Sequence, residues 1–497
     1  MYPLQPVAKR YAWGSYDRLQ TIFSQCIDEP NAGPTQRPLA EMWFGAHEVF
    51  PSHVLTDRGE LPLSTLIRRH PEATVGVDAS RRWGPVLPYL MKVIAARVPL
   101  SLQVHPLDFE ARSGFLRENA AGIPAEDPRR SFRDMAGKSE MIMALEPFRA
   151  SVGFAPVEMQ QRALHLVEHP IAADMVRALR NELDAGECRS LDVWMPPSVV
   201  AWSSRQRCVF RACAMALQAA GRLPDNAGVR RPSHSDWYQL LSDASNRLGG
   251  GAVGCDAGLR EAFRHAVAAA RAFPDDPAAL CLLMMNAVTL QRGECICIPP
   301  GTPHAYIYGM GVEIMNSSDN VLRAGLTAKH TDAVNVLRNL RCAPMIPERP
   351  AVIPMLDGAV SSAAYLSGIP ECFLEYGQIA SVAKSKGSTE AANTTETMNV
   401  AKAANIIAAQ DCSQRPDNEA SYGVWLRGRY AIRPRDTARI LVCLQGALRC
   451  STRVSDVTLR QGEAVFVPAE DGRLDINAVL DGRAPQPGTY VLASTAL

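Results

Sequence analysis

The chain carries one phrase twice, and that repetition limits its fold more than any other feature. Leu290-Gln291-Arg292-Gly293-Glu294 leads into Cys295-Ile296-Cys297-Ile298 and stops at Pro299. Leu459-Arg460-Gln461-Gly462-Glu463 leads into Ala464-Val465-Phe466-Val467 and stops at Pro468. In each copy glycine supplies a turn, the apolar run reads as a buried strand, and proline, lacking an N–H, ends it. Two copies of one β unit are therefore expected. They part just beyond the proline: the first reaches His304, whereas the matching offset in the second holds Arg473. A duplicated barrel with one chemically equipped copy and one bare copy fits this difference.

The texture around the repeats divides the chain. Residues 3–154 are punctuated by Pro and Gly and hold bounded apolar runs, Val86 to Ile94 and Val98 to Val104, that read as buried strands. Residues 156–286 turn Ala-, Leu- and Arg-rich. Ala172, Met175, Val176, Leu179 and Leu183 recur at helical intervals, and alanine dominates Phe263 to Phe273. Strand texture resumes near Ala287 and again from Cys342. The stretch 381–421 is polar and poor in aromatics, as expected of a mobile loop, with 398–410 able to form a short helix. The expected architecture is mainly β with a helical insertion. It comprises a metal-bearing barrel from 1–155 and 287–341, an all-α domain over 156–286, and a degenerate barrel over 342–497.

Composition excludes several function classes. Lys+Arg 52 against Asp+Glu 51 leaves a formal net charge of +1, without the basic excess of a nucleic-acid binder. No apolar run reaches the ~18–20 residues of a membrane span; Leu280 to Leu290 is broken by Asn286 and Thr289. The N-terminus lacks the order of a signal peptide, and the 13 cysteines are scattered and odd in number. Cys295 and Cys297, two apart on a strand, read as buried thiols. A cytoplasmic protein is expected, organellar import staying open, with an ending Ser494-Thr495-Ala496-Leu497 unlike a peroxisomal signal.

The chemistry gathers around the first copy. Gly293, Pro299, Gly301 and His304 spell G-x5-P-x-G-x2-H, a strand bounded by turns with an imidazole just beyond. This resembles the second motif of the cupins, small double-stranded β-helix barrels that hold a metal, although Tyr308 stands where an Asn is usual. Gln103 and His105, two apart, share one strand face with Ser101. Glu140 precedes the apolar run Met141 to Leu145. Alone, His105 reads first as a satisfied core or edge residue and Glu140 as a strand-edge carboxylate. Together, two imidazoles, one carboxylate and one amide oxygen suit Zn²⁺ and leave the site net positive, able to attract an anion.

The run after His304 carries the strongest resemblance: Ala305-Tyr306-Ile307-Tyr308-Gly309, then Val312-Glu313-Ile314-Met315, Asn316 to Thr327 through Arg323, and Lys329-His330. With Tyr11-Ala12-Trp13-Gly14, Ala40 to Gly45, Leu100 to Pro106 and Lys138 to Met141 in order, the chain resembles type I mannose-6-phosphate isomerases. The likeness covers about residues 8–155 and 285–340, and the rest in layout. It implies Gln103, His105, Glu140 and His304 as ligands of one Zn²⁺ and Arg323 as an active-site residue. It also implies a sugar-phosphate substrate, a monomer, and interconversion of mannose 6-phosphate and fructose 6-phosphate that feeds mannose metabolism and GDP-mannose synthesis. Ser139 and Ala328 replace usual prolines, and Leu107-Asp108 stands where Asp-Lys is common.

Moving a proton between C1 and C2 of a sugar phosphate requires a base, a stabiliser of the enediolate and a clamp for the phosphate dianion. Arg323 suits the oxygens because guanidinium stays charged and binds in a fork. Lys138, Lys92 and Lys329 are further cations, Lys92 either facing a cavity or burying its charge. Glu313 is the expected base, with an ion pair that moves no proton as the alternative. Tyr306 is placed to relay a proton or hold a hydroxyl. Trp13 stacks on the sugar or fills the core, and Trp43 reads as core. Other cupin readings are an oxygenase or epimerase, which would use His-x-His where this chain has Gln103-Val104-His105, and a metal-free binding protein, which would not need Glu140 and His304.

Overall fold

The repeated turns fold alike to the level of single hydrogen bonds. Gly293 and Gly462 take φ of +82° and +86°, conformations that favour glycine. Their N–H groups donate to Ala144 O and Cys443 O, both at 2.8 Å. Glu294 and Glu463 close each turn by accepting from the Gln291 and Arg460 N–H at 2.8 and 2.7 Å. The strands that follow, Cys295–Ile298 and Ala464–Val467, pair antiparallel with Glu140–Ala144 and Arg439–Gln445 in the same register. That register sets Arg439 against Val467 where the first copy sets Glu140 against Ile298. The fully buried Arg439 guanidinium donates to the Pro434, Pro468 and Gly472 carbonyls. The computed structural model that shows this describes residues 1–27, 37–223, 235–249, 257–355, 361–379, 426–427, 430–481, 484–485 and 487–496.

The first copy belongs to a ten-stranded sheet and the second to a nine-stranded one. The N-terminal strand Tyr2–Gln5 joins the second sheet between Ala464–Val467 and His53–Thr56, so the two sheets share the start of the chain. In the first sheet the long strand His304–Asn316 is the spine. Its first residues pair with Phe148–Phe154 and Gln103, and its later ones with Tyr89–Ala96 and Glu140–Ala144. The register slips between Tyr306 and Tyr308. Gly309 follows at φ +125°, where a Cβ would sit 2.6 Å from Pro147 O, so only glycine fits. This bulge reverses the alternation: His304 and Tyr306 before it, and Glu313 after it, all face the same interior. Ile94, Ile142, Val152, Ile296 and Ile298 fill the apolar end of that interior.

Both outer faces of the sheet are covered. Leu102, Val104, Ala305, Ile307 and Leu322 pack on the helices through Phe210, Leu217, Phe263 and Leu280. Met91, Val93, Met143, Val312 and Ile314 pack on Leu374, Ile440, Val442 and Phe466 of the second sheet. Each such buried side chain contributes about 1.5–3 kcal/mol, so the interior is held between two cores. Among the described residues, 157–283 contain helices and no strand, two of the helices closed by capping boxes at Asp184–Glu187 and Ser203–Gln206. The helix Pro170–Leu179 buries Ala172, Met175, Val176 and Leu179 but stops before Leu183, because Asn181 turns to φ +59°. The stretch 381–421 lies outside the described residues. Among those residues no helix is long and apolar enough to cross a membrane.

The interior of the second sheet is filled with Leu441, Cys443, Val465, Val467 and Leu492. Its charges are closed on themselves: Arg433 forks onto both Glu375 oxygens at 2.8 and 2.7 Å, and the Tyr490 hydroxyl donates to Glu375. Removing one partner of a buried pair strands the other charge. Glu375→Ala is therefore expected to cost roughly 3–5 kcal/mol, read as a lower urea midpoint, without altering zinc affinity.

Candidate metal centre and active site

Three ligand-type atoms of His105, Glu140 and His304 lie within 4.8 Å of one another, all in buried side chains. His105 stands just past the strand Leu102–Val104, and Glu140 and His304 each begin a strand. The Nδ1 atoms of His105 and His304 lie 2.9 and 3.0 Å from the carbonyls of Asn320 and Thr302. A carbonyl only accepts, so each ring carries its proton on Nδ1 and turns an Nε2 lone pair inward. Those lone pairs meet Glu140: His105 Nε2 is 3.0 Å from Oε1 and His304 Nε2 is 3.6 Å from Oε2. His105 Nε2 and Glu140 Oε2 are buried without a hydrogen-bond partner. Buried acceptors facing one another cost energy unless a cation joins them, and this donor set is the one zinc takes.

Protonation agrees with that reading. Burial drives the His105 pKa down to about 4 and also lowers that of His304, leaving both neutral as metal ligands must be. Burial opposes ionisation of Glu140, but the Lys138 ammonium beside it favours the carboxylate, and the carboxyl is held below its usual range. Lys138 Nζ lies 2.8 Å from Glu140 Oε1. Gln103 is paired across the sheet with both His304 and Arg323. Its Nε2 sits 3.0 Å from His304 Nε2, and its Oε1 accepts from Ser101 at 3.1 Å. Ligation through the amide oxygen requires that amide turned end for end, an exchange of near-isosteric ends. The Ser101 hydroxyl is thus engaged with Gln103.

Beside the ligands stands a second buried cluster. Lys92 Nζ is 2.8 Å from Glu313 Oε2, and the Tyr306 hydroxyl donates to Glu313 Oε1 at 3.0 Å. Burial raises the Glu313 pKa and the Glu140 charge adds to this, against the pull of Lys92. Burial works against the charge on Lys92, yet Glu313 and Glu41 more than offset it and its pKa is raised. Trp43 lies under Lys92, 5.2 Å from ring centre to Nζ, with its indole N–H on Glu41 at 2.8 Å. It is both buried and part of the site's wall.

Around Arg323 the cations outnumber their partners. Among the described residues the Arg323 and Lys329 side chains make no hydrogen bond or ion pair; Lys329 Nζ lies 4.4 Å from the ring centre of Tyr11. Desolvation and then Arg133 lower the Arg323 pKa, and desolvation and then Arg323 lower that of Lys329. Trp13 stacks on Tyr11 with ring centres 5.5 Å apart and also packs on the apolar interior. Arg133, Asp319 and Glu41 were not singled out from the sequence. Glu41 and Asp319 lie inside the family-like blocks, but Arg133 lies in none, and nothing local distinguishes it from a surface arginine. Asp319 accepts from His47 at 2.6 Å, tying the loop after residue 45 to the site.

Comparison with known proteins places this arrangement. The family model for the phosphomannose isomerase type I catalytic domain matches residues 1–157. The mannose-6-phosphate isomerase of Salmonella typhimurium is 31% identical over 352 residues, 71% of this chain and 77% of that protein. That of Escherichia coli is 29% identical over 338 residues, 67% of this chain and 73% of that protein. A crystal structure of the Salmonella enzyme bound to F6P and zinc has the same fold, with a TM-score of 0.68 at 22% identity over 100% of both chains. A zinc-bound mannose 6-phosphate isomerase structure, at a TM-score of 0.67, covers 100% of this chain and 99% of its own. The chain belongs to the type I mannose-6-phosphate isomerase family.

Proposed function

We propose that this chain is a zinc-dependent aldose–ketose isomerase that interconverts mannose 6-phosphate and fructose 6-phosphate by moving a proton between C1 and C2 through an enediol. The observation that carries this is the pair of imidazole lone pairs, each aimed by a backbone carbonyl, meeting a buried carboxylate with no proton between them. Gln103, His105, Glu140 and His304 would hold the ion, which when bound supplies Lewis-acid polarisation of the sugar oxygens. Arg323 and Lys329 clamp the phosphate dianion, with Arg133 as a third arm. Lys138 adds positive charge where the enediolate develops. Glu313 takes the proton from one carbon and returns it to the other; each of its oxygens keeps a second lone pair beside Lys92 or Tyr306. Lys92 keeps that carboxylate ionised, and Tyr306 passes or holds the proton.

Two structural readings accompany this function. The sheets are taken as two double-stranded β-helix barrels of the cupin kind, the second bare because Arg439 stands at the place of Glu140. The chain is read as a catalytic part (1–155 and 287–341), a helical insertion (156–286) and a C-terminal part (342–497). The working unit is read as a monomer. Buried free thiols such as Cys295 and Cys297 suit a reducing compartment such as the cytoplasm.

A coupled isomerase assay tests the reading. Dialysis against EDTA is expected to abolish activity and stoichiometric Zn²⁺ to restore it; full activity in the metal-free protein would refute it. Arg323→Ala is expected to raise KM for fructose 6-phosphate roughly 10- to 100-fold, the scale of a lost charge-assisted contact, and to weaken inhibition by inorganic phosphate in parallel.

A further inference from the structure

Both His105 and Glu140 stand where the sheet stops holding the chain. His105 lies one residue beyond its strand, and Glu140 is the first residue of its own. The ladder therefore fixes each ligand from one side only, and the other side depends on irregular segments, 105–108 and 133–139. Those segments converge on a single residue, Asn320. Asn320 is fully buried, and its amide is spent entirely on residues 133–136. Its Oδ1 accepts from the N–H of Arg133 at 2.6 Å and of Asp134 at 3.3 Å. Its Nδ2 donates to Asp134 O at 2.9 Å, Asp134 Oδ1 at 3.1 Å and Ala136 O at 2.8 Å. The main-chain carbonyl of the same residue accepts from His105 Nδ1.

We propose that Asn320 is the positioning residue of the metal centre: its carbonyl aims the His105 imidazole while its amide sets the segment that delivers Lys138 and Glu140. The inference rests on the zinc reading given above. One residue thereby fixes the relative placement of two ligands from segments distant in sequence. The segment is braced again at both sides. Lys138 N–H donates to Pro106 O at 3.2 Å, and Gly137 N–H to Asp108 Oδ1 at 2.7 Å, joining it to the stretch after His105. Asn316 accepts from the Ser139 N–H at 2.7 Å and donates to Gly137 O at 2.8 Å. Neither brace touches His105; Asn320 alone among these residues contacts both sides. Groups that orient metal ligands in this way set affinity through geometry, without meeting the ion.

Asn320→Asp keeps the size and one acceptor but replaces the donating NH₂ by an oxygen that faces two carbonyls and the Asp134 carboxylate. The segment 133–136 must then move away, carrying Lys138 and Glu140. Asn320→Ser removes the amide with less repulsion, so loss of one variant to misfolding leaves the other to be read. Glu375→Ala, in the second sheet, is a destabilised control remote from the site. Three measurements are made on the full chain: zinc affinity by competition with a chromophoric chelator, the visible spectrum of the Co²⁺-loaded protein, and the melting temperature of the metal-free form. The expected result is 10- to 100-fold weaker zinc binding with an altered cobalt spectrum in the Asn320 variants. Glu375→Ala should keep both wild-type properties at a comparable melting temperature. Asn320 variants that melt early yet bind zinc within about twofold of wild type, with an unchanged cobalt spectrum, would overturn the positioning role alone. A wild-type chain that binds no stoichiometric zinc would overturn the underlying reading, and this inference with it.

Discussion

His304→Ala is expected to release zinc and to lower kcat/KM on the order of 10³-fold or more, because the proposed ligand group loses one of its two imidazoles and with it the ion's Lewis-acid contribution. Arg473→Ala, at the matching offset of the second copy, should change neither quantity. Arg473 is exposed and paired with Asp475 at 2.8 Å. The contrast follows from the register. In the first copy an anion, Glu140, faces the turn that leads to His304, and two lone pairs are left over. In the second copy a cation, Arg439, takes that place and donates to the carbonyls of the turn, leaving nothing for a metal to join. Metal analysis of both variants by mass spectrometry, beside the coupled assay, checks the prediction.

Glu313→Gln is expected to lower kcat by roughly 10²- to 10⁴-fold with little change in KM, the scale of a lost general base. The alternative is that Glu313 serves only as the counter-ion of Lys92, in which case the loss arises from a stranded buried ammonium. Steady-state kinetics of Glu313→Gln combined with Lys92→Met separate the two. With the ammonium gone, an ion-pair role lets activity return toward wild type, whereas a proton-transfer role keeps the double variant as slow as the single one. The bulge between Tyr306 and Tyr308 makes the proton-transfer role geometrically available, since without it Tyr306 and Glu313, an odd number of residues apart, would face opposite sides of the strand.

That bulge also marks how far the sequence could be read. The twin turns were legible because glycine, glutamate and proline each have a local reason for their position, and the hydrogen bonds repeat accordingly. The grouping of His105, Glu140 and His304 was legible in part: the G-x5-P-x-G-x2-H phrase put an imidazole just beyond a buried strand, whereas Gln103-Val104-His105 and Glu140 drew their weight from each other and from the family-like blocks around them. The reversal of alternation after Tyr306 was not, because a glycine in a strand signals a bulge or a close approach without saying which. The joining of Tyr2–Gln5 to the C-terminal sheet was not either, since pairing between the chain's two ends leaves no local pattern. Arg133 is held by its N–H on the Asn320 amide and by its guanidinium on the Ala125 carbonyl, which no spacing reveals. Ser101, which spacing put on the strand face of Gln103 and His105, gives its hydroxyl to Gln103.

The most direct test of the whole account is anomalous diffraction at the zinc absorption edge from crystals of the zinc-loaded chain. The account requires one strong peak per chain, about 2.0–2.2 Å from the Nε2 atoms of His105 and His304 and from a carboxylate oxygen of Glu140. A peak lodged in the second sheet, or an active crystal with no peak at these three residues, would contradict it.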